Sequence, residues 1–301
     1  MLNLVPIINL IGTIYFMTTQ EFISLALKED VVDPKGIIPT GDHSTLSTIP
    51  ADRKRKARCL IKQNGVLAGI ELAKEIFKQV DASLKFIENG FADGDTVKVG
   101  DEVFYVEGSA RSILTAERLV LNFMQRMSGI ATLTKKYVDE VEGTGVKVLD
   151  TRKTTPNLRY FEKWAVKIGG AYNHRFGLYD MIMIKDNHID YAGGIVEAID
   201  AANNYLKEKG FKVPIEIETR SVEDVKTVLK HGGVQRVMLD NFTVAQVKEA
   251  VALIGNKVET EVSGGITLKT IRKYAEAKPD YISVGALTHS YTSLDISLKA
   301  I

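Results

Sequence analysis

The sequence predicts an α/β protein in two parts, a mixed α+β domain first and then a larger domain built on a parallel sheet. Three observations lead there. The first third carries apolar strands set between glycine- and aspartate-rich turns. A long helical pattern beginning near Thr115 ends that regime. Beyond it, six short β-branched runs alternate strictly with amphipathic helices, the pattern of strands buried on both faces. A chain of 301 residues is long enough for two such domains, each with its own core.

The elements follow in order. Met1 to Met17 is apolar and almost uncharged, yet it has neither the basic start and small-residue cleavage site of an export signal nor a span's roughly 20 apolar residues free of an early proline such as Pro6. Met17 therefore reads as the natural start, with Thr18-Thr19-Gln20 capping a helix through Phe22, Ile23, Leu25 and Ala26. Asp42 to Thr45 reads as a turn. The basic run Arg53 to Arg58 reads as a solvated edge that discourages strand aggregation. Cys59 to Lys62 and Val66 to Ile70, joined by Asn64-Gly65, read as a hairpin because both turn residues accept positive φ. Gly90, Asp93-Gly94-Asp95 and Gly100-Asp101 then separate Thr96 to Val99 from Glu102 to Glu107.

Thr115 can cap a helix in which Leu119, Val120, Phe123, Met124, Met127, Ile130 and Ala131 recur at helical spacing, and the domain boundary belongs here. The six runs after it are Val146 to Leu149, Met181 to Ile184, Pro214 to Ile217, Arg236 to Leu239, Val258 to Val262 and Tyr281 to Val284. Helix starts are marked by Pro156 after Thr155 and by the capping boxes Ser221 to Asp224 and Thr243 to Gln246. Trp164 reads as core.

Composition removes several functions. Lys plus Arg number 39 against 38 Asp plus Glu, a balance that argues against a polyanion surface and hence against nucleic-acid binding. The single cysteine, Cys59, allows no intrachain disulfide and no thiolate zinc site, which suits a reducing, cytoplasmic setting.

Chemistry gathers where the strands end. The first run leads into Asp150-Thr151-Arg152-Lys153, the second into Lys185-Asp186-Asn187-His188, the third to Glu218, the fourth to Asp240-Asn241, the fifth to Ser263-Gly264-Gly265 and the last to Gly285-Ala286. Charges after strands also merely solvate loops, but six in sequence make coincidence the weaker account. In a parallel barrel all six ends face one side, and an open doubly wound sheet would gather them along one crevice. Ser263 to Gly265, before a helix starting near Thr267, and Gly285-Ala286 can present unobstructed backbone N–H groups to a phosphate. Glu218 and Asp240 suit a hydrated Mg²⁺ or a developing cation, with an ordinary ion pair to Lys or Arg as the alternative. Arg118, Arg152, Lys153, His174, Arg175 and Lys185 supply enough positive charge for a compact polycarboxylate beside a phosphorylated co-substrate.

The runs Glu117 to Asn122, Asp150 to Pro156, Asn173-His174-Arg175, Lys185 to His188, Asp240-Asn241-Phe242 and Ser263 to Ile266 closely resemble those of the quinolinate phosphoribosyltransferase family, from about Phe22 to Ser297. The resemblance implies an N-terminal α/β sandwich (residues 17–116), an incomplete parallel β/α barrel (117–287) and a C-terminal segment (288–301) returning to the first domain. It implies transfer from 5-phosphoribosyl 1-diphosphate to quinolinate with decarboxylation and Mg²⁺, in a homodimer with shared sites or a higher oligomer, with no membrane. It also implies residue roles. Arg152, His174, Arg175 and Lys185, with Arg118 from a partner subunit, would hold the two quinolinate carboxylates, and Thr151 would also bind substrate. Glu218 and Asp240 would meet the ribose and metal, Lys153 the diphosphate, and Ser263, Gly264, Gly265, Val284, Gly285 and Ala286 the 5-phosphate. Lys153, Glu218 and Asp240 would be the catalytic set. Ala171 departs from the family, standing where a third glycine is common.

Two rival readings are distinct in chemistry. Lys185 could be the Schiff-base lysine of a barrel aldolase, which would need a desolvated site. A phosphate-sensing module without turnover would leave the Glu218 and Asp240 pair unexplained.

Overall fold

The computed structural model describes residues 17–301, so the reading of the apolar first 16 residues lies outside the described residues. In chain order the elements are α1 (Thr19–Val31), α2 (His43–Thr48), β1 (Lys54–Ile61), β2 (Gly65–Val66), α3 (Ile70–Val80), β3 (Lys85–Glu88), β4 (Thr96–Val97), β5 (Glu102–Ser109), α4 (Ala110–Glu140), β6 (Lys147–Leu149), α5 (Arg159–Ile168), β7 (Ile182–Ile184), α6 (Asp186–Ala192), α7 (Ile195–Lys209), β8 (Ile215–Thr219), α8 (Val222–His231), β9 (Arg236–Asp240), α9 (Val244–Ile254), β10 (Glu259–Ser263), α10 (Ile271–Ala275), β11 (Tyr281–Ser283), α11 (Ala286–His289) and β12 (Ile296–Ala300). Contacts divide the described residues into one unit that runs to Ala131 and includes Thr292–Ile301, and another of Thr132–Tyr291, the division falling inside α4.

In the first unit an antiparallel sheet runs in the order β12-β1-β5-β3. Alternation along β1 sends Ala57, Cys59 and Ile61 inward, with Cys59 opposite Leu298 on one side and Phe104 on the other. The apolar face of α3 (Leu72, Ala73, Ile76, Phe77) is buried, and Phe77 meets Phe104 edge-on at 6.2 Å. Thr18 and Glu21 form a reciprocal capping box at the start of α1, as the polar Thr18 to Gln20 stretch suggests.

Four local expectations are corrected here. Asn64-Gly65 does not close a hairpin: β1 pairs with β5 and β12, whereas β2 pairs with β4. The Asn64 side chain instead accepts the Val99 amide at 2.9 Å, and the apolar residues from Ile70 onward follow a helical period. The Arg53 to Arg58 run is a solvated edge only in its first half: Lys54 and Arg55 are exposed and pair with β5 alone, whereas Ala57 and Arg58 are flanked by β5 and β12; Lys56 lies over the Tyr105 ring and Arg58 pairs with Glu102. Asp42 is an N-cap, its carboxylate accepting the Thr45 amide to start α2. Finally, α4 starts at Ala110, directly after β5, because buried Ala110 and Ile113 extend its helical stripe upstream of Thr115.

Among the described residues, the strands of the second unit form one parallel sheet in the order β6-β11-β10-β9-β8-β7, an incomplete barrel. A single parallel bridge from Leu149 to Tyr172 adds a rung beside β6. Helix starts show how side chains set boundaries. Thr243 and Gln246 cap α9 reciprocally, but at α8 the box is half made: Ser221 accepts the Asp224 amide, whereas the Asp224 carboxylate accepts the Arg220 amide. Pro156 is not the first helical residue. The turn after it places Asn157 at φ 64, and α5 starts at Arg159. Likewise α10 starts at Ile271 rather than near Thr267, because Thr267 and Thr270 close a turn of their own. Trp164 is half-buried against Tyr160 rather than core. No helix among the described residues is long and apolar enough to cross a membrane.

Burial in the first unit has a chemical consequence. It pushes the Cys59 thiol up to about 12, so at pH 8 the group stays protonated and unreactive. Alkylation is expected to follow the denaturant unfolding curve. Labelling of native protein as fast as a free thiol would contradict this.

Candidate active site

The inner face of the parallel sheet is charged. On β8 the residues Ile215 and Ile217 are buried while Glu216 and Glu218 take the alternate positions; β9 likewise alternates Arg236, Met238 and Asp240, and β10 alternates Glu259, Glu261 and Ser263. The register sets Arg236 beside both Glu216 and Glu259, and Asp240 beside Ser263. Arg236 donates to Glu259 at 2.9 Å and to Glu261 at 3.0 Å, with its guanidinium 4.1 Å from the Tyr281 ring centroid.

Above this layer, His174 is buried with Nε2 at 3.0 Å from Glu216 and 3.3 Å from Glu261, too bent for a formal hydrogen bond. Burial opposes a charged ring, but the Glu261 and Glu216 carboxylates outweigh it and raise His174 to about 10. The Arg175 amide, however, donates to Nδ1 at 2.6 Å, and an imidazolium has no lone pair there to accept it. The geometry therefore favours a proton on Nε2, the nitrogen that faces Glu216 and Glu261; burial pushes the Glu216 carboxyl up to about 7. His174, Glu216 and Glu261 offer ligand atoms within 4.8 Å of one another, but Arg236 already balances part of their negative charge. Both ring nitrogens of His174 face protein groups, so the residue holds its surroundings in place instead of presenting an open nitrogen to a ligand.

The backbone of His174 is fixed as firmly. Its N–H donates to buried Asp150 at 2.8 Å and its carbonyl accepts from Lys163 at 3.1 Å, while Lys163 also pairs with Asp150. Burial pushes the Asp150 carboxyl up to about 6 against the pull of Lys163. Arg175 follows, half-buried, its Nη1 donating to the Met181 carbonyl at 3.0 Å. Burial, then the nearby Arg152 charge, lowers its affinity for its proton. Arg152 keeps a buried Nε without a hydrogen-bond partner.

At the rim, Lys185 pairs with Glu218 at 2.8 Å. Lys185 is 46% exposed, so it is not the desolvated amine that an aldolase requires. Burial raises the Asp240 carboxyl, and the nearby Glu218 charge raises it further. Such a pair is the donor set that a hard cation takes up.

On the other side of the rim, Lys153 reaches the last strand end. A Cβ on Gly285 would lie 3.0 Å from the Lys153 side chain and 3.1 Å from His289 Nε2, and the Lys153 carbonyl accepts the Thr288 hydroxyl at 2.8 Å. Of the residues read as a phosphate seat, Val284 gives its amide to Leu149 at 2.9 Å and is buried, leaving Gly285 and Ala286. Gly264 and Gly265 have φ of 95° and 62°, backbone that glycine adopts freely. Thr151 accepts the Lys153 amide at 3.0 Å. Arg118 is exposed on α4 in the first unit.

A parallel barrel whose strand ends unite guanidiniums, paired carboxylates and a glycine-lined seat is built as an enzyme that moves a phosphorylated group onto an anionic acceptor. Comparison with known proteins agrees. Residues 42–128 match the family description "Quinolinate phosphoribosyl transferase, N-terminal domain" and residues 130–299 match the C-terminal domain of the same family. The chain belongs to the quinolinate phosphoribosyltransferase family, and it is an enzyme of the pentosyltransferase class. It is 48% identical over 294 residues to the chloroplastic carboxylating nicotinate-nucleotide pyrophosphorylase of Oryza sativa subsp. japonica, covering 93% of this chain and 77% of that protein. A probable carboxylating nicotinate-nucleotide pyrophosphorylase of Bacillus subtilis is 41% identical over 261 residues, covering 87% and 88%. Among solved structures, NadC from Streptococcus pyogenes superposes with a TM-score of 0.86 at 41% identity, covering 93% of this chain and 96% of that one.

Proposed function

We propose that this chain transfers the phosphoribosyl group of 5-phosphoribosyl 1-diphosphate to the ring nitrogen of quinolinate, with loss of one carboxylate as CO₂, giving nicotinate mononucleotide and diphosphate for NAD biosynthesis. The observation that carries this reading is the gathering of Arg152, Arg175 and Lys185 on the same strand-end rim as Glu218 and Asp240. The guanidinium forks of Arg152 and Arg175 suit a quinolinate carboxylate, with His174 Nδ1 accepting the Arg175 amide and so fixing its backbone. Thr151 shapes the loop that carries Arg152 and Lys153.

The ring nitrogen attacks the anomeric carbon as the bond to diphosphate breaks, and positive charge develops on the ribose. Glu218 and Asp240 face that charge. They also fit Mg²⁺, which when bound offsets the charge of the leaving diphosphate. Lys153 stands on the diphosphate side, and the backbone of Ser263, Gly264, Gly265, Gly285 and Ala286 takes the 5-phosphate. The C2–carboxylate bond then breaks. Its electron pair stays on C2, stabilised by the quaternised nitrogen, and takes a proton there.

We extend the reading to assembly and setting. The chain works as a homodimer in which Arg118 of each subunit completes the partner's quinolinate site, in the cytoplasm, with neither nucleic acid nor membrane as partner. The single cysteine supports a reducing compartment.

Purified protein with quinolinate, 5-phosphoribosyl 1-diphosphate and Mg²⁺ is expected to release CO₂ and form nicotinate mononucleotide; nicotinate as the better acceptor would overturn the reading. Mixing inactive Arg118→Ala with inactive Glu218→Ala protein tests the shared site. Partial recovery is expected, and complete failure after verified subunit exchange would refute it.

A further inference from the structure

Asp240 is followed by a residue whose position is unusual. Asn241 has φ 58, the left-handed region that asparagine tolerates better than most residues. Its amide N–H donates to the Ser263 carbonyl at 2.9 Å, so its backbone is tied to the neighbouring strand end. Its side-chain Nδ2 donates to Asp240 Oδ2 at 2.7 Å. Its Oδ1 fills the space that a Cβ on Gly264 would occupy, and that Cβ would also lie 2.7 Å from Asn241 Cγ. The missing side chain of Gly264 therefore makes room for the Asn241 amide.

We propose that Asn241 is a positioning residue: its amide, seated in the gap at Gly264, holds Oδ2 of Asp240 and so links the carboxylate side of the site to the glycine turn. The proposal rests on the reading of Asp240 as a carboxylate that faces the ribose and metal. With Oδ2 engaged, the other oxygen, Oδ1, is the one left to point towards a ligand. Orientation then comes from a neutral donor, which adds no charge to a region that already carries Glu218 and Asp240. The glycine at 264 gains a second reason: besides opening backbone to a phosphate, it admits the group that aims Asp240.

Two substitutions separate this role from a requirement for backbone conformation. Asn241→Gly keeps positive φ accessible but removes the amide. Asn241→Asp keeps the shape but places an acceptor against the Asp240 oxygen. Both variants are expected to keep the wild-type denaturant midpoint closely, since the side chain is exposed. Without quinolinate, calorimetric affinity for 5-phosphoribosyl 1-diphosphate in the presence of Mg²⁺ is expected to fall roughly tenfold in Asn241→Gly and up to about a hundredfold in Asn241→Asp, the range for losing a hydrogen bond to a charged group. Affinity measured without Mg²⁺, and KM for quinolinate, should change far less.

Wild-type affinity in Asn241→Gly would overturn the proposal, because backbone conformation alone would then explain the residue. Equal losses with and without Mg²⁺ would also overturn it, because the effect would not pass through Asp240. Asp240→Asn, measured in parallel, keeps the underlying reading separate. If that variant leaves Mg²⁺-dependent affinity unchanged, the assignment of Asp240 fails; if it is damaging while Asn241→Gly is silent, only the positioning role fails.

Discussion

Lys163→Met is expected to destabilise the protein by about 3–5 kcal/mol at pH 7, the range for a buried ion pair that loses one partner. Lys163 is 1% exposed and Asp150 is 0% exposed, and their pairing lies under the His174 backbone. Methionine keeps the length of the side chain but leaves a buried carboxylate without its counter-ion. Burial already raises Asp150 to about 6 with Lys163 present, and the variant should raise it further. A carboxyl whose folded pKa lies above its unfolded value of roughly 4 gives stability that is fully present below that value and lost as pH rises. The deficit should thus be small near pH 4 and grow towards neutrality. Urea titrations across pH would show this. The double variant Asp150→Asn/Lys163→Met should recover part of the loss, because it removes both charges. A deficit independent of pH would mean that packing, not charge, is what Lys163 supplies.

Arg175→Lys is expected to weaken quinolinate binding by roughly tenfold to a hundredfold, since a charge-assisted hydrogen bond contributes about 1.5–3 kcal/mol. The charge is conserved, but the fork is not. In the protein one arm of that fork, Nη1, is already fixed on the Met181 carbonyl at 3.0 Å; a lysine can satisfy the carbonyl or the ligand, not both in one plane. Affinity for 5-phosphoribosyl 1-diphosphate alone should change little, because its carboxylate and glycine contacts lie on other strands. Calorimetry with each ligand separately decides it, and equal losses for both would show that the mutation disturbs the whole rim.

The sequence made the rim legible because each strand ends on residues that a buried strand would not carry, such as Asp240 after Val237 to Leu239 or Lys185 after Ile184. It was less informative wherever the decisive partner lay far along the chain. Asn64-Gly65 carries every local mark of a hairpin, yet β1 finds its partners at Glu102 to Ser109 and Ile296 to Ala300. The inner charges of the barrel were missed for a different reason. Glu216 and Glu261 sit within runs read as apolar, and only the period of two in Ile215-Glu216-Ile217-Glu218, set beside Glu259 and Glu261, shows a charged face. That signal was present, but it identifies a site only when Arg236 and His174 are known to lie opposite. Asn241 could not be read at all, since its role depends on a backbone angle and on the space beside Gly264.

The position of β1 between β5 and β12 also bears on how the protein is made. Its partner on one side emerges soon after it, but Ile296, which pairs with Ile61, is translated about 235 residues later. At about 5–20 residues per second, β1 waits roughly 10–50 s on the ribosome with one row of backbone N–H and C=O groups unmatched. An exposed strand edge of this kind recruits other nascent chains unless something repels them. Lys54, Arg55, Lys56 and Arg58 put four positive charges along that row during the interval. The last strand covers only Ala57 to Ile61, so Lys54 and Arg55 stay on an uncovered stretch of that edge in the finished fold, where their charges continue to discourage a foreign strand.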